Sequence, residues 1–128
     1  MTEPLEDDML IAFFDWVRIK AQSDPRYELI IHVPNEAKRS WWLGRRMKAK
    51  GIASGIPDIL VLCPSKGFNG LAIELKRSKK LHATENQKIW LNRLTKNNWH
   101  CALCFTSDAA CKIVEKYLEN ELSCRCLP

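Results

Sequence analysis

No run of this 128-residue chain approaches the ~18 consecutive apolar residues that a bilayer-spanning helix needs. The first fifteen residues hold five acids and no base, the wrong sign for a secretory leader. Between Lys38 and Lys50 the imbalance reverses: six cations (Lys38, Arg39, Arg45, Arg46, Lys48 and Lys50) and not one acid. There is no internal repeat, low-complexity tract or linker. What is missing thus argues against a membrane partner, a repeat array and a multidomain chain, and predicts one cytoplasmic domain over residues 1–128. In that reducing compartment the six cysteines are expected to be free thiols.

What is present fits a globular protein. The chain can bury roughly two-thirds of its unfolded surface, and its 46% apolar and 27% charged residues are ordinary proportions. A net charge of +5 favours an anionic partner, and the distribution of that charge says more than its total. A second cationic cluster, Lys76, Arg77, Lys79 and Lys80, follows the first. Together the two flank a pair of acids, Asp58 and Glu74, as a phosphate-tracking surface around a reactive centre would.

Apolar side chains at Leu10, Phe13, Phe14, Val17 and Ala21 recur at helical spacing and predict a helix over 7–22, stopped by Ser23-Asp24-Pro25. The β-branched and apolar run from Tyr27 to Val33 reads as a strand. Residues 39–50 read as a basic helix closed by Gly51. Asp58–Cys63 and Leu71–Arg77 read as strands joined through the turn-rich segment 64–70 into a hairpin. A helix over 84–97 with Ile89, Trp90, Leu91 and Leu94 on its apolar side, a strand over 99–105 and a helix over 107–121 complete the chain. This order predicts an α/β fold, a mixed β-sheet flanked by helices, in which the strand at 99–105 runs parallel to the one at 71–77 after a right-handed crossover.

The chemistry gathers at Gly55-Ile56-Pro57-Asp58 and Glu74-Leu75-Lys76. Paired as a hairpin, the two strands bring Asp58 and Glu74 side by side. Adjacent carboxylates raise each other's proton affinity unless a cation lies between them. Oxygen ligands suit a hard divalent ion, magnesium or manganese. Glu74 and Lys76 are two apart in a strand and share a face. Two acids on one metal with an ammonium group beside them are the equipment of phosphodiester hydrolysis, in which Lys76 would hold the attacking water or stabilise the transition state. The bland alternative makes Asp58 a turn cap after Pro57 and Glu74 a surface ion pair with Lys76 or Lys79. Against it, Glu74 follows Leu71-Ala72-Ile73 in a strand apolar enough to be buried, where an unpaired carboxylate is costly. The carbonyl of Leu75 would complete the chain's share of the ligands, and no organic cofactor is expected.

In order, the strand ending in Pro34-Asn35-Glu36 with Arg39 just after, Gly55-Ile56-Pro57-Asp58, Glu74-Leu75-Lys76, and Thr84-Glu85-Asn86-Gln87-Lys88-Ile89-Trp90-Leu91 resemble the PD-(D/E)XK nuclease superfamily, and within it the VRR-NUC (virus-type replication-repair nuclease) family. The resemblance covers about residues 28–118 and is to the stand-alone members, found largely in phages and bacteria. It implies a restriction-endonuclease-like fold with an αβββαβ core and Mg²⁺-dependent DNA cleavage, with Mn²⁺ as a substitute. It also implies a homodimer that, like a Holliday junction resolvase, acts on branched DNA in replication, repair or recombination. Two further residues enter through the resemblance: Glu36, an acid that helps hold metal or water, and Gln87, which faces the site from the following helix.

Each has a plainer reading. Glu36 could serve only the dipole of the next helix. Gln87 could close a capping box by reaching back to the Thr84 amide. The cations Lys38, Arg39, Arg45, Arg46, Lys48, Lys50, Arg77, Lys79 and Lys80 are candidate phosphate contacts or one solvated face. Trp41 and Trp42 cannot both face inward; one could stack on a base or fill a dimer interface. His32 and Asn35 could be satisfied polar side chains. Cys101-X-X-Cys104 and Cys124-X-Cys126 invite zinc, but residues three apart in a strand face opposite sides, so Cys101 and Cys104 suit core packing better. Two other functions stay open: a non-catalytic DNA-binding module on the same fold, and a nuclease acting on RNA.

Overall fold

Met9, Phe13 and Val17, spaced four apart, form the buried stripe of helix α1 (Glu6–Ala21). Acids crowd its first turn and bases its last, which suits the helix dipole. The computed structural model describes residues 6–34 and 41–119, and of 41–43 the backbone only. After α1 the expected strand over 27–33 begins late. Asp24 caps a short 3₁₀ helix, Pro25–Leu29, its carboxylate accepting the Arg26 amide at 3.1 Å. The Asp-Pro start signal overrides the β-propensity of Tyr27 and its neighbours, and strand β1 spans only Ile30–His32.

Helix α2 (Trp41–Ala49) is closed by Gly51 in the left-handed region, as its sequence suggested. Strands β2 (Ile59–Val61) and β3 (Gly70–Leu75), helix α3 (Glu85–Lys96), strand β4 (Trp99–Cys104) and helix α4 (Ser107–Leu118) follow. The four strands form one mixed sheet in the order β1-β2-β3-β4. The pairs β1/β2 and β2/β3 are antiparallel, and β3/β4 is parallel across the α3 crossover. This is the α/β sheet with flanking helices that the pattern predicts.

One sheet face, with Ile30, Ile59, Val61, Leu71, Ile73, Leu75 and Cys104, packs on α1 and on Val114, Tyr117 and Leu118 of α4. On the other face α3 lies over β3 and β4, with the Cys101 thiol against the Leu91 carbonyl. Strand β3 is buried at every position, so its side chains need cover on both faces. Its first residue, Gly70, lets the Trp99 ring lie close beside it: a Cβ there would come within 2.5 Å of that ring and would have to displace it.

Two expectations need correction. Ile89 is exposed, because α3 turns Trp90, Leu91 and Leu94 toward the sheet and leaves Ile89 on the outer side. Cys63 is disulfide-bonded, whereas Cys101, Cys104 and Cys111 are free; a compartment argument weighs whether disulfides persist, not whether two sulfurs meet. Cys101 and Cys104 pair with Ala72 and Leu75, residues on opposite sheet faces, which separates the Cys-X-X-Cys thiols as the strand period requires.

Candidate functional site

The β2/β3 register pairs Ile59 with Ile73, which sets Asp58 opposite Glu74 at the end of the ladder. Glu74 is 2% exposed, although it is a carboxylate. Its Oε1 accepts the Gln87 side-chain amide at 2.8 Å and lies 4.0 Å from Lys76 Nζ. Its Oε2 is buried and has no hydrogen-bond partner among the described residues. Burial above all, then the charge of Asp58 and a hydrogen bond shared with its carboxyl, push the Glu74 carboxyl up to about 9 against the opposing pull of Lys76.

Asp58 is anchored differently. Its Oδ2 accepts the backbone amide of Leu75 at 2.8 Å, whereas the sequence pointed to the carbonyl of that residue. Lys76 continues from β3, its amide bonded to the Cys104 carbonyl at 2.9 Å, and its side chain is nearly as buried as Glu74.

Gln87 closes the capping box and also reaches Glu74. Thr84 Oγ1 accepts the Gln87 amide at 3.3 Å and Gln87 Oε1 accepts the Thr84 amide at 2.8 Å, a complete capping box. The box fixes which end of the side-chain amide faces which way, and so leaves Nε2 to donate to Glu74. Gly55 holds this helix start against the loop before Asp58. It has φ +86°, and a Cβ there would lie 2.5 Å from the Asn86 backbone. Ser54 Oγ accepts from the Asn86 side chain at the same junction. Gln87→Ala removes the donor that orients Glu74 Oε1 and should weaken Mn²⁺ binding about tenfold or more; an unchanged affinity in a titration would contradict this role for Gln87.

Asp58, Glu74, Lys76 and Gln87 thus converge, whereas the cations spread around them. Arg45, Arg46, Lys48 and Lys50 are exposed on and just after α2, and Arg77, Lys79 and Lys80 are exposed in the segment after β3. Arg77 lines a shallow cavity with Glu6, Asp7 and Leu81. Glu36, Lys38, Arg39, Asn35, Cys124 and Cys126 lie outside the described residues, as do the side chains of Trp41 and Trp42. Among the described residues no three His, Cys, Asp or Glu side chains gather as a metal cluster, so the acids present are a pair.

One acid went unnoticed in the sequence. Glu6, at the start of α1, adds its charge to the field that holds Glu74 protonated. The only available signal was the base-free acidic stretch at residues 1–15, which does not say where α1 points.

The family model of the VRR-NUC domain matches residues 6–108. The chain belongs to the VRR-NUC family. The match begins at Glu6 and so takes in α1, which the motif resemblance over 28–118 left out. A solved structure described as a VRR_NUC domain protein shares the fold at a TM-score of 0.78 and 23% identity, covering 92% of this chain and 91% of that one. No curated protein matches the chain. As a VRR-NUC domain this is a nuclease-type protein, and no described helix is long and apolar enough to cross a membrane.

Proposed function

We propose that this VRR-NUC domain is a divalent-metal-dependent endodeoxyribonuclease whose centre is Asp58, Glu74 and Lys76. The observation that carries the reading is a buried Glu74 carboxyl set against the Asp58 carboxyl, with no described residue offering its Oε2 a donor. Such an oxygen is costly in a metal-free protein and is satisfied by a cation. An all-oxygen donor set selects Mg²⁺, with Mn²⁺ able to substitute. Asp58, Glu74 and the Leu75 carbonyl would hold it, with Glu36 as a further candidate ligand. When bound, the ion would lower the pKa of a water and neutralise charge on the scissile phosphate.

The chain's own residues supply the rest. Lys76 brings a positive charge to within 4.0 Å of Glu74 Oε1, where it can hold the attacking water or offset the developing phosphorane charge. Gln87 keeps Glu74 turned into the site. The exposed cations on α2 and after β3, together with Lys38 and Arg39, would track the DNA backbone. Removing several of them should flatten the salt dependence of DNA binding by nearly one unit of slope for each phosphate no longer neutralised; an unchanged slope would show that none of them engages the backbone.

A homodimer acting on branched DNA completes the proposal. Exposed Ile31 and Leu62 share one sheet face with half-buried Leu60, an apolar patch of a kind that a second copy would cover. Sedimentation equilibrium should give a dimer mass that Leu62→Glu reduces to the monomer. The function itself is tested by incubating duplex, flap, splayed and four-way-junction DNAs, and matched RNAs, with Mg²⁺, Mn²⁺ or chelator. Metal-dependent cutting of branched DNA is expected. Binding without nicking under any ion would indicate a non-catalytic module, and preferential cutting of RNA would reassign the substrate.

A further inference from the structure

Asp58 is held more tightly than a turn-capping acid would be. Pro57 before it is fully buried. Its Oδ2 accepts the Leu75 amide, and its backbone carbonyl accepts two groups, the Val33 amide at 3.0 Å and His32 Nδ1 at 2.7 Å. A carbonyl can only accept, so Nδ1 carries the proton. The Val33 bond alone already extends the β1/β2 ladder past its last pair, so the His32 bond is surplus to strand pairing. The ring is exposed, and its packing therefore adds little.

We infer that His32 is a positioning residue for Asp58. Its Nδ1–H fixes the Asp58 main chain from the β1 side while the Leu75 amide fixes the carboxylate from the β3 side, and together they hold the second carboxylate in register with Glu74. This rests on the reading of Asp58 as a cation ligand. Ligand oxygens must be held to within about 0.5 Å to chelate well. Groups that orient a ligand without touching the ion are commonly worth roughly 10- to 100-fold in affinity. A bond from strand β1 also ties the edge of the sheet to the centre of the site.

The test is Mn²⁺ binding by calorimetry for the parent protein, His32→Ala and His32→Asn, with metal-free melting curves alongside. Asparagine can place its Nδ2–H where the imidazole Nδ1–H stands. His32→Ala should bind Mn²⁺ about tenfold or more weakly with little change in metal-free melting temperature, and His32→Asn should recover most of the loss. Alanine binding as tightly as the parent would overturn the assignment, as would a melting drop without a change in affinity. Equal weakness in both variants would overturn it too, because the Nδ1 bond would then not be what matters. Failure of the parent protein itself to bind Mn²⁺ would instead strike the reading of Asp58 and Glu74, and is visible before any variant is compared.

Discussion

Glu74→Gln should stabilise the metal-free protein at neutral pH and abolish metal-dependent cleavage. The two effects share one cause. The Glu74 carboxyl titrates near 9 in the folded chain against 4.5 ordinarily, so between those values the folded state holds a proton that the unfolded state has released. Stability then falls as pH rises through that window, by up to about 1.4 kcal/mol per unit. Glutamine is neutral at every pH and keeps an oxygen for the Gln87 amide, so the variant's melting temperature should be nearly flat where the parent's declines. Mn²⁺ should restore the parent protein at alkaline pH, because binding to the folded state alone adds stability, and should leave the variant unchanged. A variant that melts below the parent at pH 8 without metal would show that Glu74 is paired structurally. Retained cleavage would show that it is not a ligand.

The second large effect is expected from Lys76→Ala, a fall in cleavage rate of roughly a hundredfold or more. Lys76 is the cation that opposes the upward pressure on Glu74. Its loss should therefore also move the acid limb of the pH–rate profile to higher pH, since Glu74 must lose its proton before it can act. Lys76→Arg keeps the charge and should restore the pH profile better than the rate, because a planar fork does not reproduce a point charge. Cleavage at nearly the parent rate in the alanine variant would make Lys76 one more member of the basic run. A lower rate with an unmoved pH profile would detach it from Glu74.

How much of this was legible in the sequence differs from residue to residue. The hairpin could be read because two apolar runs flanked a turn-rich segment, and the observed pairing of Ile59 with Ile73 sets Asp58 opposite Glu74 as that hairpin required. The burial of Glu74 followed from Leu71-Ala72-Ile73 before it. Gln87 looked like a choice between cap and site only because sequence spacing cannot show that the two ends of one amide serve both. Side-chain bonds to distant main chain were invisible: Leu75 N–H to Asp58 and His32 to the Asp58 carbonyl depend on register and loop path, which composition does not encode. Tyr27 to Leu29 misled for a local reason, since an Asp-Pro start outweighed their strand propensity. Glu6 was missed because an acidic helix start is an ordinary dipole partner until the fold shows which site it overlooks.

The most direct measurement is a Mn²⁺ titration of the metal-free protein at pH 8, followed by calorimetry, with Asp58→Asn and Glu74→Gln run in parallel. Saturable binding is expected in the parent protein, with protons released as the ion enters, and loss of that binding in either variant. A parent protein that takes up no Mn²⁺, or binding that survives both substitutions, would contradict the chelation of one cation by Asp58 and Glu74.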